Sequence, residues 1–226
     1  MRRFTSFVRK VSRVFITLLL FILIISLTIS HKVKTRVISS RIPNVQEISD
    51  TLRLHFIHGS TVKQDCSYSK SRLGGKLGGH VELELNNYVY GFLYDSLPIH
   101  VFVLSDNLNS KFEKKHRNIW IDGVTDEMIT TIEIPISLKQ YNRLDSIMEH
   151  YYHKEPYDYA FFGQRCTSST AEILSDAGIF GKFSNFESAV GFFYPRTLRF
   201  AMLKYATENS LEVRVKKGIA CRDWEH

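Results

Sequence analysis

The stretch PYDYAFFGQRCTSSTAEILSDAGI, residues 156–179, decides how the C-terminal half of the chain folds and points to its chemistry. The apolar residues after Cys166 recur at helical spacing and Gly178 suits the position that closes a helix, so a helix is predicted at 166–177. The N-terminus of a helix lowers the pKa of a thiol, and Arg165 adds a cation beside it. Cys166 is therefore a candidate nucleophile. The other interpretation is a small buried cysteine that packs a helix start.

A second segment, GGHVELEL at residues 78–85, supplies the partner that a thiol nucleophile needs. Its strict alternation predicts a β-strand with two different faces: the apolar side chains are Val81, Leu83 and Leu85, and the polar ones are His80, Glu82 and Glu84. A general base must lie within hydrogen-bond reach of the sulfur and be held by a third group. His80, on a rigid strand, is the candidate base.

Strand patterns precede helix patterns along the chain, which predicts an α+β fold. The glycine-rich segment 63–79 is interpreted as a loop, and its part 74–79 as a flap beside the active site. A tight turn at Asn86-Asn87 would join two strands into a hairpin. Strands are predicted at 54–58, 80–85, 88–94, 99–104 and 129–136, and helices at 137–152, 166–177 and 195–208.

An apolar segment near the N-terminus, Val14–Ser30, contains seventeen residues without a charge, enough to cross a bilayer as a helix. Five cationic residues precede it, which favours a cytoplasmic N-terminus and an extracytoplasmic domain. A cleaved signal peptide is the alternative, but the residues before His31 offer no convincing cleavage site. The expected organisation is a basic cytoplasmic N-terminus at 1–13, a transmembrane signal anchor at 14–30, a juxtamembrane stalk at 31–52 and a catalytic domain at 53–226.

The formal net charge of +7 does not indicate nucleic-acid binding, because the positive charge is concentrated at the N-terminus. Residues 1–41 contain nine Lys or Arg and no Asp or Glu, which leaves 21 basic against 23 acidic residues in the remainder. Three of the nine, Lys32, Lys34 and Arg36, follow the apolar segment. They weaken the predicted orientation, and binding of lipid headgroups is an alternative role for them.

The three cysteines are an odd number, which outside the cytoplasm leaves one thiol unpaired or paired between chains. A bond between Cys66 and Cys221 would leave Cys166 free, but the sequence does not establish that pairing. His55 and His58, together with His80, are candidate zinc ligands by residue type. Since residues i and i+3 of a strand point to opposite faces, one shared site is disfavoured. We expect neither a metal nor another cofactor.

The two chemical segments resemble the circularly permuted papain-like proteins of the NlpC-type amidase and lecithin–retinol acyltransferase superfamily. In that group a Gly-His-Val-x-hydrophobic strand comes first, and a cysteine opening a helix follows far downstream. This chain has Gly79-His80-Val81-Glu82-Leu83 and then Cys166-Thr167-Ser168-Ser169, with Tyr157-Asp158-Tyr159 upstream. The resemblance covers roughly residues 54–180.

The resemblance implies a papain-like fold in permuted order, with Cys166 attacking a carbonyl carbon and His80 moving the proton. It also implies an oxyanion donor at the Cys166 backbone N–H, with Gln164 as a further possibility. The chain departs from the group at Arg165, where the group usually has Asn or Tyr. The third polar residue has no clean counterpart, and the two substitutes are Glu82 on the face of His80 and His100 on a later strand.

We therefore expect a single-pass, membrane-anchored cysteine hydrolase, amidase- or peptidase-like, that forms a thioester on Cys166. Its substrate would be a peptide, another amide or a lipid beside the membrane, and nucleic acid is not an expected partner. One alternative is a lipid acyltransferase or thioesterase of the same superfamily. Another is a membrane-attached binding module that has lost catalysis, which the missing third residue would favour.

Overall fold

A computed structural model of the chain describes residues 2–64, 66, 74–104 and 108–225. The fold is α+β, as predicted, with one large antiparallel sheet. The helices are α1 (Arg2–Ser39), α2 (Arg117–Gly123), α3 (Leu138–His153), α4 (Cys166–Asp176), α5 (Asn185–Gly191) and α6 (Pro195–Glu208). The strands are β1 (Ile48–His58), β2 (Ser60–Val62), β3 (Gly79–Leu85), β4 (Tyr88–Leu93), β5 (His100–Phe102), β6 (Lys111–His116), β7 (Ile129–Ser137), β8 (Ala160–Phe162), β9 (Val213–Lys216) and β10 (Arg222–Trp224).

The large sheet has six strands in the order β6-β4-β3-β1-β7-β9, all paired antiparallel. Along its central strands, one face buries apolar side chains in the main core together with residues of α3, α4 and α6. The other face carries polar residues, among them His55, Glu82 and Glu84, and is partly covered by Trp120 of α2. Two small sheets, β2 with β10 and β5 with β8, lie beside the large one.

The predicted hairpin and the three predicted helices are confirmed. Asn86 and Asn87 both have positive φ, 53° and 64°, as the tight hairpin turn requires. The Ser137 side chain caps α3, and Gly178, at φ 77°, follows the end of α4. Strand β6 was missed because its sequence, KFEKKH, is mostly charged and buries only Phe112.

Helix α1 continues beyond the apolar segment and joins the domain. Its part Val14–Ser39, 26 residues, is long and apolar enough to cross a membrane. Within its last turns Val33 and Val37 are completely buried in the main core, and Arg36 Nη1 donates to the Lys182 carbonyl at 2.8 Å. The segment 31–52, interpreted above as a stalk, is therefore helix up to Ser39 and strand from Ile48. Its buried face rests on two valines one turn apart, too few to stand out among polar neighbours.

The cysteine pairing that the sequence left open is settled by the structure. Cys66 and Cys221 form a disulfide, which leaves Cys166 as the free cysteine.

Candidate active site

A pocket of about 570 Å³ opens at the N-terminal end of α4, and both Cys166 and His80 line it. Its volume is in the range of small-molecule sites. The segment Gly78–Gly79 and Leu77 form one wall, which is where the glycine-rich flap was expected. Residues 65 and 67–73 of the predicted loop lie outside the described part of the chain. The other walls are mainly apolar and aromatic, formed by Leu93, Tyr94, Tyr159, Phe161, Phe193 and Tyr194.

Cys166 is the first residue of α4, as predicted, and only 4% of its surface is exposed. Arg165 is the N-cap residue of α4, and its side chain hydrogen-bonds to three backbone carbonyls around the pocket. Its guanidinium donates to Phe193 O at 3.1 Å, to Ala189 O at 2.9 Å and to Phe161 O, and it lies 3.8 Å from the centre of the Phe193 ring. The cation that the sequence placed beside the thiol therefore also positions the pocket wall.

The start of β3 brings the thiol to the backbone of His80. The pairing of β3 with β4 runs over Leu83–Leu85, and at the beginning of β3 the Val81 backbone N–H donates to Cys166 Sγ. The amide nitrogen of Val81 is bonded to the carbonyl carbon of His80. The contact between the start of β3 and the start of α4 thus places the sulfur beside the His80 backbone.

Glu82 lies next to His80 on the polar face of β3. Glu82 Oε1 is 3.8 Å from His80 Nε2, and Glu82 Oε2 accepts a hydrogen bond from Trp120 Nε1 at 2.5 Å. Burial raises the pKa of the Glu82 carboxyl to about 7, although the Trp120 hydrogen bond acts in the opposite direction. Gly91 on β4 leaves room for the pair, because a Cβ there would lie 3.1 Å from both His80 Nε2 and Glu82 Oε1.

The surroundings of the Cys166 thiol act on its pKa in both directions. Burial raises the pKa of Cys166, and this effect exceeds the opposing hydrogen bonds from Thr167, the Val81 N–H and Tyr159 and the charge of Arg165. Burial thus acts against the lowering of this pKa that the helix N-terminus and Arg165 were expected to bring. A neutral thiol needs a base at the moment of attack.

Tyr159 is a site residue that sequence reasoning missed. Its hydroxyl donates to Cys166 Sγ and accepts a hydrogen bond from the Cys166 backbone N–H, and its ring lines the pocket. The hydroxyl therefore occupies the position beside the N–H that was expected to bind an oxyanion. The only sequence signal for Tyr159 was the Tyr157-Asp158-Tyr159 motif. This motif was part of the family resemblance, but no role was assigned to its residues.

Gln164 and His100, two other candidate site residues, are hydrogen-bonded to residues other than Cys166 and His80. The Gln164 side-chain amide donates to Glu172 Oε2 at 2.8 Å, and Gln164 is not among the residues that line the pocket. His100 Nδ1 hydrogen-bonds to Asp158 Oδ2 at 2.8 Å, and His100 is not among the residues that line the pocket. Of the two substitutes for the third polar residue, Glu82 is therefore the one beside His80.

His55 and His58 do not line the pocket. His55 contacts Thr131 Oγ1 at 2.9 Å and Glu84 Oε2 at 3.0 Å, whereas His58 contacts Thr130 Oγ1 at 2.8 Å. In the described ranges, no three His, Cys, Asp or Glu side chains converge in a way that suits a metal ion.

Comparisons with protein-family models, with curated proteins and with solved structures found no match to this chain.

Proposed function

We propose that the chain is a membrane-anchored cysteine hydrolase, amidase- or peptidase-like, in a papain-like arrangement of permuted order. The observation that carries the proposal is that the free cysteine and His80 line one pocket, with the Cys166 thiol against the Val81 backbone. A cysteine at a helix start beside a strand histidine is the pair that thiol acyl transfer requires.

In the proposed reaction, His80 removes the Cys166 thiol proton while the sulfur attacks the carbonyl carbon of the substrate. The carbonyl electron pair moves to oxygen, and this oxyanion takes the place of the Tyr159 hydroxyl beside the Cys166 N–H, which then donates to it. His80 then gives the proton to the leaving nitrogen or oxygen, and a thioester remains on Cys166. Water, deprotonated by His80, releases the acid and restores the thiol.

Glu82 is assigned the position of the third residue. Because its carboxylate faces His80 Nε2 at 3.8 Å, the other ring nitrogen, Nδ1, is the one we assign to the thiol. An ionised Glu82 stabilises the imidazolium that forms during attack. Trp120 holds the second carboxylate oxygen and so orients the group.

The location we propose is the extracytoplasmic side of a membrane. The apolar helix at Val14–Ser39 supports an anchor. The bond between Cys66 and Cys221 supports an oxidising compartment for the domain, because such bonds are rare in the cytosol.

Two alternative functions each have one observation in their favour. A lipid acyltransferase or thioesterase is favoured by the apolar walls of the pocket. A binding module without catalysis is favoured by the burial of Cys166, which raises the pKa of its thiol.

The proposal is tested with the full chain in detergent micelles and p-nitrophenyl butyrate, a small activated ester. We expect a butyryl adduct by intact mass, and Cys166 is the thiol that can carry it because the other two cysteines are bonded to each other. Cys166→Ala abolishes the adduct, and His80→Ala slows its formation by about 10²–10⁴-fold. His153→Ala, on an exposed histidine of α3, is the matched control and leaves the rate unchanged.

The alternatives give different results in the same assay. An acyltransferase passes the butyryl group to an added alcohol or amine faster than to water. For a binding module, no adduct forms, and the apparent pKa for alkylation of Cys166 by iodoacetamide does not change in His80→Ala.

A further inference from the structure

We propose that an exposed apolar surface at the mouth of the pocket docks onto the lipid bilayer that holds α1. This surface, called the aromatic rim, consists of Val101, Phe102, Val103, Leu104, Phe161 and Phe162. The inference rests on the membrane anchor proposed above, and it does not depend on whether Cys166 is catalytic.

The rim presents large apolar side chains to solvent. Phe102 is 67% exposed and Phe162 is 58% exposed, and their rings stack with centroids 5.6 Å apart. Phe161 contacts Phe162 at 4.9 Å and the pocket residue Phe193 at 5.2 Å. An apolar surface of this kind on a domain usually marks a contact with a partner or a membrane.

The rim is held in place by buried polar contacts. Strands β5 and β8 pair in parallel, with Phe102 opposite Phe162. Asp158, which is completely buried, accepts hydrogen bonds from Leu104 N at 2.9 Å and Asn109 N at 2.8 Å and contacts His100 Nδ1 at 2.8 Å. The phenylalanines are therefore exposed by a fixed framework and do not depend on a loose loop for their position.

The packing of α1 places the rim on the membrane side of the domain. Val33 of α1 packs against Gly191, just before α6 begins, and Ser40 O accepts from Asn209 Nδ2, just after α6 ends. Helix α1 therefore runs parallel to α6, and its apolar segment leaves the domain at the end where Pro195 begins α6. Phe193, which contacts the rim and lines the pocket, lies at this same end.

The distance along α1 also fits a membrane surface at the rim. Ser30, the last residue of the uncharged stretch, precedes Val33 by three residues, or about 4.5 Å of helix. Lys32 and Lys34 follow at the level of lipid headgroups, where cationic side chains favour anionic lipids. Apolar side chains of a docked surface enter the bilayer by about 5–10 Å. Lipid is the expected partner of the rim because the rim lies at the end of the domain where α1 enters the membrane. A substrate would then reach the pocket from the membrane surface.

The test uses the full chain in vesicles of phosphatidylcholine and phosphatidylglycerol whose acyl chains carry bromine, a short-range quencher of tryptophan. Phe162→Trp reports on the rim. Leu138→Trp is the matched control, because Leu138 is 60% exposed and begins α3 at the opposite end of the sheet, where Ser137 pairs with Ile48. Phe21→Trp reports on the anchor. The native Trp120 and Trp224 are buried and supply the background.

We expect the rim tryptophan to lose at least twofold more fluorescence to brominated lipid than Leu138→Trp does. Equal quenching of the two overturns lipid docking. Unquenched fluorescence of Phe21→Trp overturns the anchor, so the two failures are separate. A blue shift of Phe162→Trp in lipid-free detergent that grows with protein concentration overturns the proposal in favour of a second copy on the rim. Phe102→Trp repeats the measurement at an independent rim position.

Discussion

At the scale of single residues, the Glu82 carboxyl is a group beside His80 whose pKa lies near neutral pH. Burial raises its pKa from the ordinary value of 4.5 to about 7. A carboxyl with a raised pKa favours the folded state in its protonated form, so this contribution is complete below pH 4.5 and is lost as the pH rises through about 7. Near neutral pH the protein therefore retains a carboxylate at a cost in stability, which is consistent with a role beside His80.

The first prediction concerns Glu82→Gln, which keeps an acceptor for Trp120 and cannot ionise. The free energy of unfolding of the wild-type protein should fall relative to that of the variant by about 3 kcal/mol between pH 4 and pH 8. Denaturant titrations of both proteins across this range measure the difference. If Glu82 also orients His80, the pH profile of Cys166 alkylation by iodoacetamide loses its inflection near pH 7 in the variant.

Glu172→Gln is the matched control for this experiment. Burial also raises the pKa of Glu172 to about 7, with the charge of Asp176 adding to the effect, but Glu172 lies on α4 away from the pocket walls. This variant should change the pH dependence of stability while leaving the alkylation profile of Cys166 intact. A profile that changes equally in both variants would contradict the assigned role of Glu82.

At the scale of helices and strands, the sequence predicted what depends on local periodicity. Alternation in 80–85 placed His80 and Glu82 on one face, and the apolar spacing with the closing glycine delimited the helix that begins at Cys166. The role of Tyr159 was not predicted, because its contact with Cys166 depends on how the chain turns between β8 and α4. No periodic sequence pattern encodes that turn. The effect that raises the pKa of the Cys166 thiol was not predicted either, because burial is a property of the packed domain.

The second prediction tests the packing of α1 on the domain. A Cβ added at Gly191 would meet Val33 Cβ at 3.1 Å and its two methyl groups at 3.3 and 3.4 Å. Because Val33 is completely buried, relief requires α1 itself to shift. We expect Gly191→Ala to lower the free energy of unfolding by about 1–2 kcal/mol, despite the better helix propensity of alanine. Denaturation followed by circular dichroism in detergent measures the change.

Gly181→Ala provides the comparison, because its new methyl group would meet only Arg36 side-chain atoms, at 3.8–3.9 Å, an ordinary contact. Its stability should stay within about 0.5 kcal/mol of the wild type. A Gly191→Ala protein as stable as Gly181→Ala would mean that the end of α1 is not packed against α5 as described.

At the scale of the whole molecule, both ends of the described chain are joined to the same domain. The N-terminal helix enters the core through Val33 and Val37. At the other end, Glu225 Oε1 accepts from Arg199 Nη1 at 2.6 Å in a buried ion pair and from Gly59 N at 3.2 Å. The C-terminal segment thereby closes over the end of β1, close to the loop that forms one wall of the pocket.

The disulfide is the covalent part of this closure and carries the last prediction. Cys66 and Cys221 are 155 residues apart, so their bond restricts a large part of the unfolded chain. Loop-closure entropy for so long a loop is worth up to about 5 kcal/mol, and native-state effects reduce it. We expect Cys66→Ser combined with Cys221→Ser to lower the thermal midpoint by on the order of 10 °C.

Dithiothreitol should move the wild-type midpoint by a similar amount and leave the double variant unchanged. Cys166→Ala should keep its sensitivity to the reductant, because the thiol it lacks is outside the bond. Mass spectrometry checks that the reduction is complete. If the wild-type midpoint then stays constant, buried contacts such as Arg199–Glu225 hold the C-terminal segment without the bond.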